Sequence, residues 1–277
     1  MSLRAMEKSD LVAAFKLTRV EKWPHRLEDW DMMLTAGNGV VAEMSGEIVA
    51  TAMWFPCGPG IATLGMVLVS RTHRGGGIGR IVVETAMERS GCATMLLIST
   101  KAAVPLYRKM GFNGVGEILQ HQGAAFSVPI VGLEAGERIR PLGSRDGERV
   151  AALIANATGL DRPAVVAELL ANAQTVILDN NEEVAGVACF RRFGRGYVIG
   201  PVIAPDINRA KALISHWLGS RAGEFTRLDI PADCGLSDWL EDLGISRVDN
   251  GVTMIAGDFP RIPAAQQSFA IISQAFS

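Results

Sequence analysis

The fold is decided by a short glycine-rich stretch, Arg74-Gly75-Gly76-Gly77-Ile78-Gly79-Arg80. The apolar run 64–69 before it is typical of a strand, and residues 79–89 after it are typical of a helix. Glycine allows successive backbone N–H groups to point toward one centre, and the N-terminus of the following helix adds its own unpaired N–H groups. No Lys-Ser or Lys-Thr follows Gly79, which excludes a Walker loop. The stretch therefore predicts a strand–helix turn that cradles a pyrophosphate.

A second motif lies one helix and one strand further on, at 97–112. Here a buried strand leads into a short helix that ends at Gly111. Together the two motifs resemble the GNAT acyl-CoA N-acyltransferase superfamily, which carries Arg/Gln-x-x-Gly-x-Gly and then Ala-x-x-Leu-Tyr-x-x-x-Gly-Phe. The residues that match these two patterns are Arg74, Gly77, Gly79, Ala103, Leu106, Tyr107, Gly111 and Phe112.

The resemblance implies an α/β (α+β) fold, with a mixed and mostly antiparallel central sheet flanked by helices. It implies that acetyl-CoA lies where two central strands splay apart. The residues expected to bind this co-substrate are Val67, Leu68 and Val69 by backbone pairing, 74–80 at the pyrophosphate, and Thr100 and Ala103. Tyr107 is the expected general acid that protonates the leaving thiolate, and a backbone N–H near Leu68 is expected to stabilise the oxyanion.

The general base is left open by the sequence. Many family members carry an acidic residue on the strand before the glycine-rich loop, but 64–69 has none. Glu43, Asp29 and His73 are the candidates. A water chain, or an acceptor amine of low pKa, would need no dedicated base.

The second half of the chain repeats the first at an offset of 133–136 residues. Arg140 and Asp146 repeat the spacing of Arg4 and Asp10. Further landmarks in the same order are Glu183-Val184-Ala185 for Glu47-Ile48-Val49, Ile199-Gly200-Pro201-Val202 for Leu64-Gly65-Met66-Val67, and Gly244-Ile245 for Gly111-Phe112. We expect tandem GNAT-like domains at 1–134 and 135–277.

The second copy has lost the catalytic features of the first. The short segment Ala204-Pro205-Asp206-Ile207-Asn208 replaces the glycine-rich loop, and Leu240 occupies the position of Tyr107. Leucine has no proton to donate. We therefore expect the first copy to bind acetyl-CoA and the second to be structural or to form part of the acceptor pocket.

Composition excludes several classes of function. The formal net charge is −2, which lacks the basic footprint of a nucleic-acid binder. No apolar run reaches the roughly 20 residues of a membrane span, and the charged N-terminus is unlike a signal peptide. The four cysteines, at positions 57, 92, 189 and 234, lack metal-ligand spacing. We expect a cytoplasmic protein without metal, nucleic-acid partner or membrane contact, as a monomer or homodimer.

Acceptor specificity is less clear from the sequence. Trp23-Pro24 and Trp30 fall in the region expected to wall the acceptor cleft, while Asp229, Asp233 and Arg195 lie near strand ends that could face it. The apolar tail with Phe269, Ile271, Ile272 and Phe276 is expected to dock on the fold. The leading hypothesis is N-acetylation of a small-molecule amine such as an amino acid, polyamine or amino sugar. The alternatives are acetylation of a protein N-terminus or lysine, a non-catalytic acyl-CoA sensor, and a donor other than acetyl-CoA.

Overall fold

The computed structural model describes residues 1–258 and 267–276. The first half contains, in order, β1 (Ser2–Ala5), α1 (Leu11–Val20), α2 (Leu27–Ala36), β2 (Asn38–Met44), β3 (Glu47–Pro56), β4 (Ile61–Val69), α3 (Ile78–Ser90), β5 (Thr94–Ser99), α4 (Val104–Lys109) and β6 (Asn113–Gly123). The second half contains β7 (Glu137–Pro141), α5 (Gly147–Thr158), α6 (Pro163–Asn172), β8 (Gln174–Asn180), β9 (Glu183–Phe193), β10 (Gly196–Ala204), α7 (Ile207–Ser220), β11 (Thr226–Pro231), α8 (Ser237–Asp242), β12 (Ile245–Ala256) and β13 (Gln267–Ala270). Up to β13 the two halves have the same element order, which confirms the tandem organisation; the exact boundary after residue 134 stays a prediction.

The strands of the described residues form one continuous sheet in the order β1-β2-β3-β4-β5-β12-β6-β11-β10-β9-β8-β7, with β13 added to β10. β4 with β5 and β10 with β11 pair in parallel, and the other pairs are antiparallel. The predicted fold class, a mixed and mostly antiparallel sheet with flanking helices, is therefore confirmed.

The two halves exchange their last long strands. β6 follows α4 in the chain but pairs with β11 of the second half, and β12 pairs with β5 of the first half. β6 and β12 also pair with each other, from Ile245 opposite Gly123 to Ile255 opposite Asn113. Each half is thus completed by a strand of the other. As a result, β5 of the first half lies beside β12 of the second half.

Alternation along the strands separates two layers of core. On β3, Met53 and Phe55 belong to a core shared with α1, α2, α5 and α6, whereas Ala52 and Trp54 belong to the core under α3. Successive strand residues point to opposite faces of a sheet, so the apolar residues of β3 serve both. A third core lies under α7 in the second half. The core shared by α2 and α6 joins the two halves.

The C-terminal tail docks on the fold as predicted. Phe269, Ile272 and Phe276 are buried. The ring of Phe276 lies 4.8 Å from that of Phe55, and its carbonyl accepts a hydrogen bond of 3.1 Å from the Thr63 hydroxyl. The tail therefore runs from the second half into the first.

Among the helices of 1–258 and 267–276, none combines the length and apolar character that a bilayer crossing requires.

Candidate active site

A notch opens in the sheet of the first half where β4 and β5 diverge. The two strands pair only from Ile61 to Leu64 on β4 and from Thr94 to Leu97 on β5. Beyond that point Met66 adopts a positive φ of 52°, and its carbonyl accepts a 2.8 Å hydrogen bond from the Thr51 hydroxyl. This irregularity turns β4 away from β5. The predicted donor-binding residues Val67, Leu68 and Val69 form the diverged end of β4. We call this opening the donor notch.

The glycine-rich loop leads from the donor notch into α3. Gly75 and Gly77 have φ of 84° and 81°, and a Cβ at either position, or at Gly76, would meet only open space. Gly77 is the N-cap of α3 and provides no side-chain hydrogen bond to the helix N-terminus. The exposed glycines and the uncapped helix start leave a concave anion site that side chains do not fill. This geometry fits the predicted pyrophosphate cradle.

The arginines of the predicted cradle have partners of their own. Arg74 donates from Nε to the Val69 carbonyl at 3.1 Å, and its Nη2 lies 2.7 Å from Oε1 of Glu21. Arg71 binds the same carboxylate at 2.9 Å, and the two guanidiniums lower the pKa of Glu21. Arg80 pairs with Glu84 along α3 at 2.7 Å. Arg71 and Arg74 thus fasten the loop to the end of α1.

Tyr107 lies on α4 at the base of the donor notch. Its side chain is 6 % exposed and packs edge-on against Phe112, with ring centroids 5.6 Å apart. Burial raises the pKa of the Tyr107 phenol above its ordinary value, so the group stays protonated at neutral pH. Tyr107, Thr100 and Ala103 line a cavity of about 350 Å³ together with residues of β4 and β5. We call it the inner cavity.

An outer cavity of about 740 Å³ adjoins the inner one and shares Lys22, Trp23, Pro24, His25, Gln120, Phe193 and Arg227 with it. Its lining combines the loop after α1 with the β9–β10 hairpin and β11 of the second half. The inner cavity also receives Asp249 of β12 and the tail residues Ser273, Gln274 and Ala275. The second half therefore supplies much of the wall opposite the donor notch.

The three candidate bases lie outside both cavities. Glu43 pairs with Arg4 at 3.2 Å, and His73 contacts the Thr72 hydroxyl at 3.0 Å on the loop. Asp29 is buried between Arg26 and Arg191, at 3.0 and 3.3 Å. None of the three is placed to receive a proton from an amine in the inner cavity.

Of the residues predicted to wall the acceptor cleft, some line the outer cavity and others do not. Trp23, Pro24 and Arg195 line the outer cavity, whereas Trp30 has no exposed surface and belongs to the shared core, so its assignment to the cleft is wrong. Asp229 is buried behind the cavities, where it accepts two 2.9 Å hydrogen bonds from Arg227 and one from Gln274. Asp233 lies outside the cavities.

Sequence reasoning missed His25, Gln120, Phe193, Arg227, Asp249 and the tail residues of the site. Gln120 and Asp249 reach it on the exchanged strands β6 and β12, and the tail brings Ser273, Gln274 and Ala275. Phe193 and Arg227 come from β9 and β11 of the second half, and His25 directly follows the predicted Trp23-Pro24. None of these placements leaves a local motif. His25 is half-buried between Trp23 and Phe193, at ring distances of 5.9 and 5.3 Å. Burial lowers its pKa to about 3, so the imidazole is neutral at physiological pH.

The corresponding notch of the second half is filled by the chain itself. β10 pairs with β11 only at Tyr197 and Val198, and further along β13 pairs with Val202–Ala204 of β10. The N-terminus of α7 is capped by Asp206, which accepts hydrogen bonds from the backbone N–H groups of Asn208 and Arg209 at 2.9 and 3.0 Å. Leu240 is buried. In the described part of the second half, β13 thus occupies the notch beside β10, and the N-terminus of α7, the counterpart of α3, is capped.

Comparison with known proteins agrees with this architecture. The family model described as "Acetyltransferase (GNAT) family" matches residues 5–112, and that described as "Acetyltransferase (GNAT) domain" matches 150–269. The chain is a two-domain member of the GNAT superfamily and, by that membership, an acetyltransferase of the GNAT kind.

The relatives and solved structures that follow match between 74 % and 100 % of this chain. An uncharacterized N-acetyltransferase of Bacillus subtilis, YitH, is 25 % identical over 74 % of this chain and 73 % of its own length. A putative acetyltransferase from Pyrococcus horikoshii superposes with a TM-score of 0.79 at 18 % identity, over 100 % of this chain and 95 % of that one. A tandem GNAT protein from the clavulanic acid biosynthesis pathway gives 0.66 at 13 % identity, over 94 % and 100 % of the two chains. The two solved structures show that the fold is shared.

Proposed function

We propose that the protein transfers an acetyl group from acetyl-CoA to the primary amine of a small molecule, with Tyr107 as general acid. The observation that carries this proposal is the position of Tyr107, a buried and protonated phenol on the inner cavity between the donor notch and the outer cavity. The open glycine cradle before α3 supports the choice of a pyrophosphate-containing donor. A cytoplasmic location, and a monomer or homodimer, stay predictions.

The reaction needs one bond made and one broken. The amine nitrogen attacks the thioester carbonyl carbon, and the negative charge that develops on the oxygen is stabilised by a backbone N–H near Leu68. The tetrahedral intermediate collapses with cleavage of the carbon–sulfur bond. The Tyr107 hydroxyl gives its proton to the departing thiolate and is then reprotonated from water. The two protons that the ammonium form of the acceptor loses, one before the attack and one from the tetrahedral intermediate, pass to water.

The outer cavity is half-open, but its walls meet on one side, which favours a small acceptor over a protein. The loop after α1 bounds it on one side and the β9–β10 hairpin on another, and these two segments touch: a Cβ on Gly194 would clash with Pro24. A protein lysine or N-terminus requires an open groove. Turnover of amines would distinguish an enzyme from the alternative of a non-catalytic acyl-CoA sensor.

The test is a calorimetric titration of acetyl-CoA into the wild type and Gly77→Asp. We expect one site per chain, lost in the variant because a carboxylate enters the cradle. Gly91→Asp is the matched control, since Gly91 has a similar positive φ of 63° and equal free space at the opposite end of α3. Equal binding by Gly77→Asp and Gly91→Asp would refute the cradle, and two sites per chain would refute a closed second notch. Tighter binding of a longer acyl-CoA would identify another donor.

A further inference from the structure

The charges around the two cavities are distributed unevenly. The outer cavity is lined by five basic side chains, Arg19, Lys22, Arg26, Arg195 and Arg227, and by one acidic side chain, Glu28. Arg26 and Arg227 are neutralised by buried carboxylates, Asp29 and Asp229 respectively.

The other three cations keep their charge for the cavity. Within 1–258 and 267–276, Arg19, Lys22 and Arg195 form no ion pair. All three are solvent-exposed at the mouth of the cavity. The outer cavity is therefore positive, and a cleft lined by one sign of charge concentrates ligands of the opposite sign.

The inner cavity, which Lys22 and Arg227 also line, contains two carboxylates in addition. Of its two carboxylates, Glu21 is held by Arg71 and Arg74. Asp249 pairs with no cation of the described residues, and its Oδ1 accepts a 2.8 Å hydrogen bond from the N–H of Asn250. The exchanged strand β12 brings this carboxylate to the inner cavity.

Two contacts hold part of the wall of the outer cavity in place. Nε and Nη2 of Arg227 each donate to Asp229 at 2.9 Å, and the Arg227 guanidinium lies 5.4 Å from the centroid of Phe193. Arg195 follows Phe193 at the tip of the β9–β10 hairpin, which packs against Pro24. The Arg227 side chain is therefore held in place, and the hairpin that carries Arg195 is braced against the loop of Lys22 and Pro24.

We propose that the acceptor is an amine that also carries an anionic group, and that the second half selects it. This inference rests on the proposed function. The ammonium group binds Asp249 in the inner cavity, and the anionic group binds Lys22 and Arg195 in the outer cavity. A carboxylate and a phosphate have the same chemistry toward these cations. The acceptor thus lies across the two cavities with its amine toward Tyr107.

The kinetic test compares amines that differ only in the anionic group. γ-Aminobutyrate is paired with n-butylamine, and O-phosphoethanolamine with ethanolamine, which separates carboxylate from phosphate recognition. We expect the anionic member of at least one pair to have a higher kcat/KM. In Lys22→Ala/Arg195→Ala that advantage falls about 10–100-fold, through KM, as for the loss of a charged hydrogen bond. The kcat/KM of the neutral amines should fall less than that of the anionic ones, because they have no anionic group for Lys22 and Arg195 to bind. Arg145→Ala, at an exposed arginine of the second half away from the cavities, is the control.

A variant at the residue proposed to bind the ammonium group tests the orientation of the acceptor. Asp249→Asn is expected to raise KM about 10-fold or more for anionic and neutral amines alike, because both lose the carboxylate that binds the ammonium. Asp233→Asn, an exposed aspartate of the same half outside both cavities, should change nothing. An unchanged KM in Asp249→Asn would overturn this half of the proposal.

Binding of an unreactive probe separates this inference from the proposed function. N-acetyl-γ-aminobutyrate and N-butylacetamide are titrated into the protein with CoA present. Preference for the charged probe, lost in Lys22→Ala/Arg195→Ala, supports the anion site even if no amine is turned over. Turnover of neutral amines with no effect of the double variant overturns the inference and leaves the proposed function standing. If the protein neither turns over amines nor binds the charged probe selectively, both the inference and the proposed function are refuted.

Discussion

Nη1 of Arg191 lies 3.3 Å from Oδ1 of Asp29, and both side chains are buried between the two halves, at 3 % and 5 % exposure. Arg26 donates to the same carboxylate and also to the backbone carbonyl of Arg192. Burial lowers the pKa of Arg191, an effect that the charge of Asp29 opposes. The pair joins α2 to β9, and Arg26 joins the loop before α2 to the same strand. This loop and the β9–β10 hairpin are two walls of the outer cavity.

Asp29→Ala should destabilise the protein by about 3–5 kcal/mol, because it leaves the Arg191 guanidinium buried without its counter-charge. Urea unfolding measures the change. Asp31→Ala is the control on the same helix: its partner is Lys8 at 3.3 Å, and both side chains are largely exposed, so the cost should stay below about 1 kcal/mol. Equal losses in the two variants would show that the buried pair contributes nothing special.

Tyr107→Phe should slow turnover by about 10²–10⁴-fold, the usual contribution of a general acid. The phenyl ring keeps the edge-on contact with Phe112, so acetyl-CoA affinity and the unfolding midpoint should change little. Single-turnover kinetics and calorimetry on the same preparation make the comparison. An unchanged rate constant would leave Tyr107 a packing residue.

Asp206→Ala should cost about 1 kcal/mol of stability, because the N–H groups of Asn208 and Arg209 lose their capping acceptor. It should not create a second acetyl-CoA site, since β13 still occupies the notch beside β10. Thermal unfolding and calorimetric stoichiometry report the two effects separately. Asp206→Asn keeps a capping oxygen and should recover most of the stability. A stoichiometry of two in Asp206→Ala would contradict the role given to β13.

The repeat was predictable from spacing because it rests on short-range chemistry. Arg4 binds Asp10 at 2.7 Å, and Arg140 binds Asp146 at 2.6 Å. In each copy the aspartate also accepts a backbone N–H three residues before it, at 2.8 and 2.7 Å. Such local pairs impose a fixed separation along the chain, so the separation survives in the sequence. The glycine-rich loop and Tyr107 were singled out as site candidates from the same kind of local pattern.

The docking of the apolar tail was predicted, but the strand exchange and the place where the tail docks were not, since neither depends on a local sequence pattern. β6 and β12 carry the alternation of any antiparallel strand, and this alternation does not specify which half they complete. Gly65 and Gly200 were recognised as equivalent positions, but the reason lies in the tail. A Cβ at Gly65 would clash with the Ala275 carbonyl, and one at Gly200 with that of Ile271. The residues that line the acceptor side of the site could therefore be identified only from the structure.

Acid should weaken the protein partly through Asp146, whose pKa is held below its ordinary 3.8 chiefly by its hydrogen bonds with Arg140. A carboxyl with a lowered pKa in the folded state contributes stability that is fully present above its unfolded value. That contribution is lost as the pH falls below 3.8 and through the lowered value, because the unfolded chain takes up the proton first. Asp146→Asn should therefore be less stable than the wild type at pH 7, and the difference should shrink steadily as the pH falls below 3.8.

Guanidinium unfolding at a series of pH values measures this difference in stability. Asp233→Asn, at an exposed aspartate that forms no ion pair within the described ranges, should track the wild type throughout. A difference for Asp146→Asn that stays constant with pH would mean that packing around Arg140, and not the charge of Asp146, provides the stability.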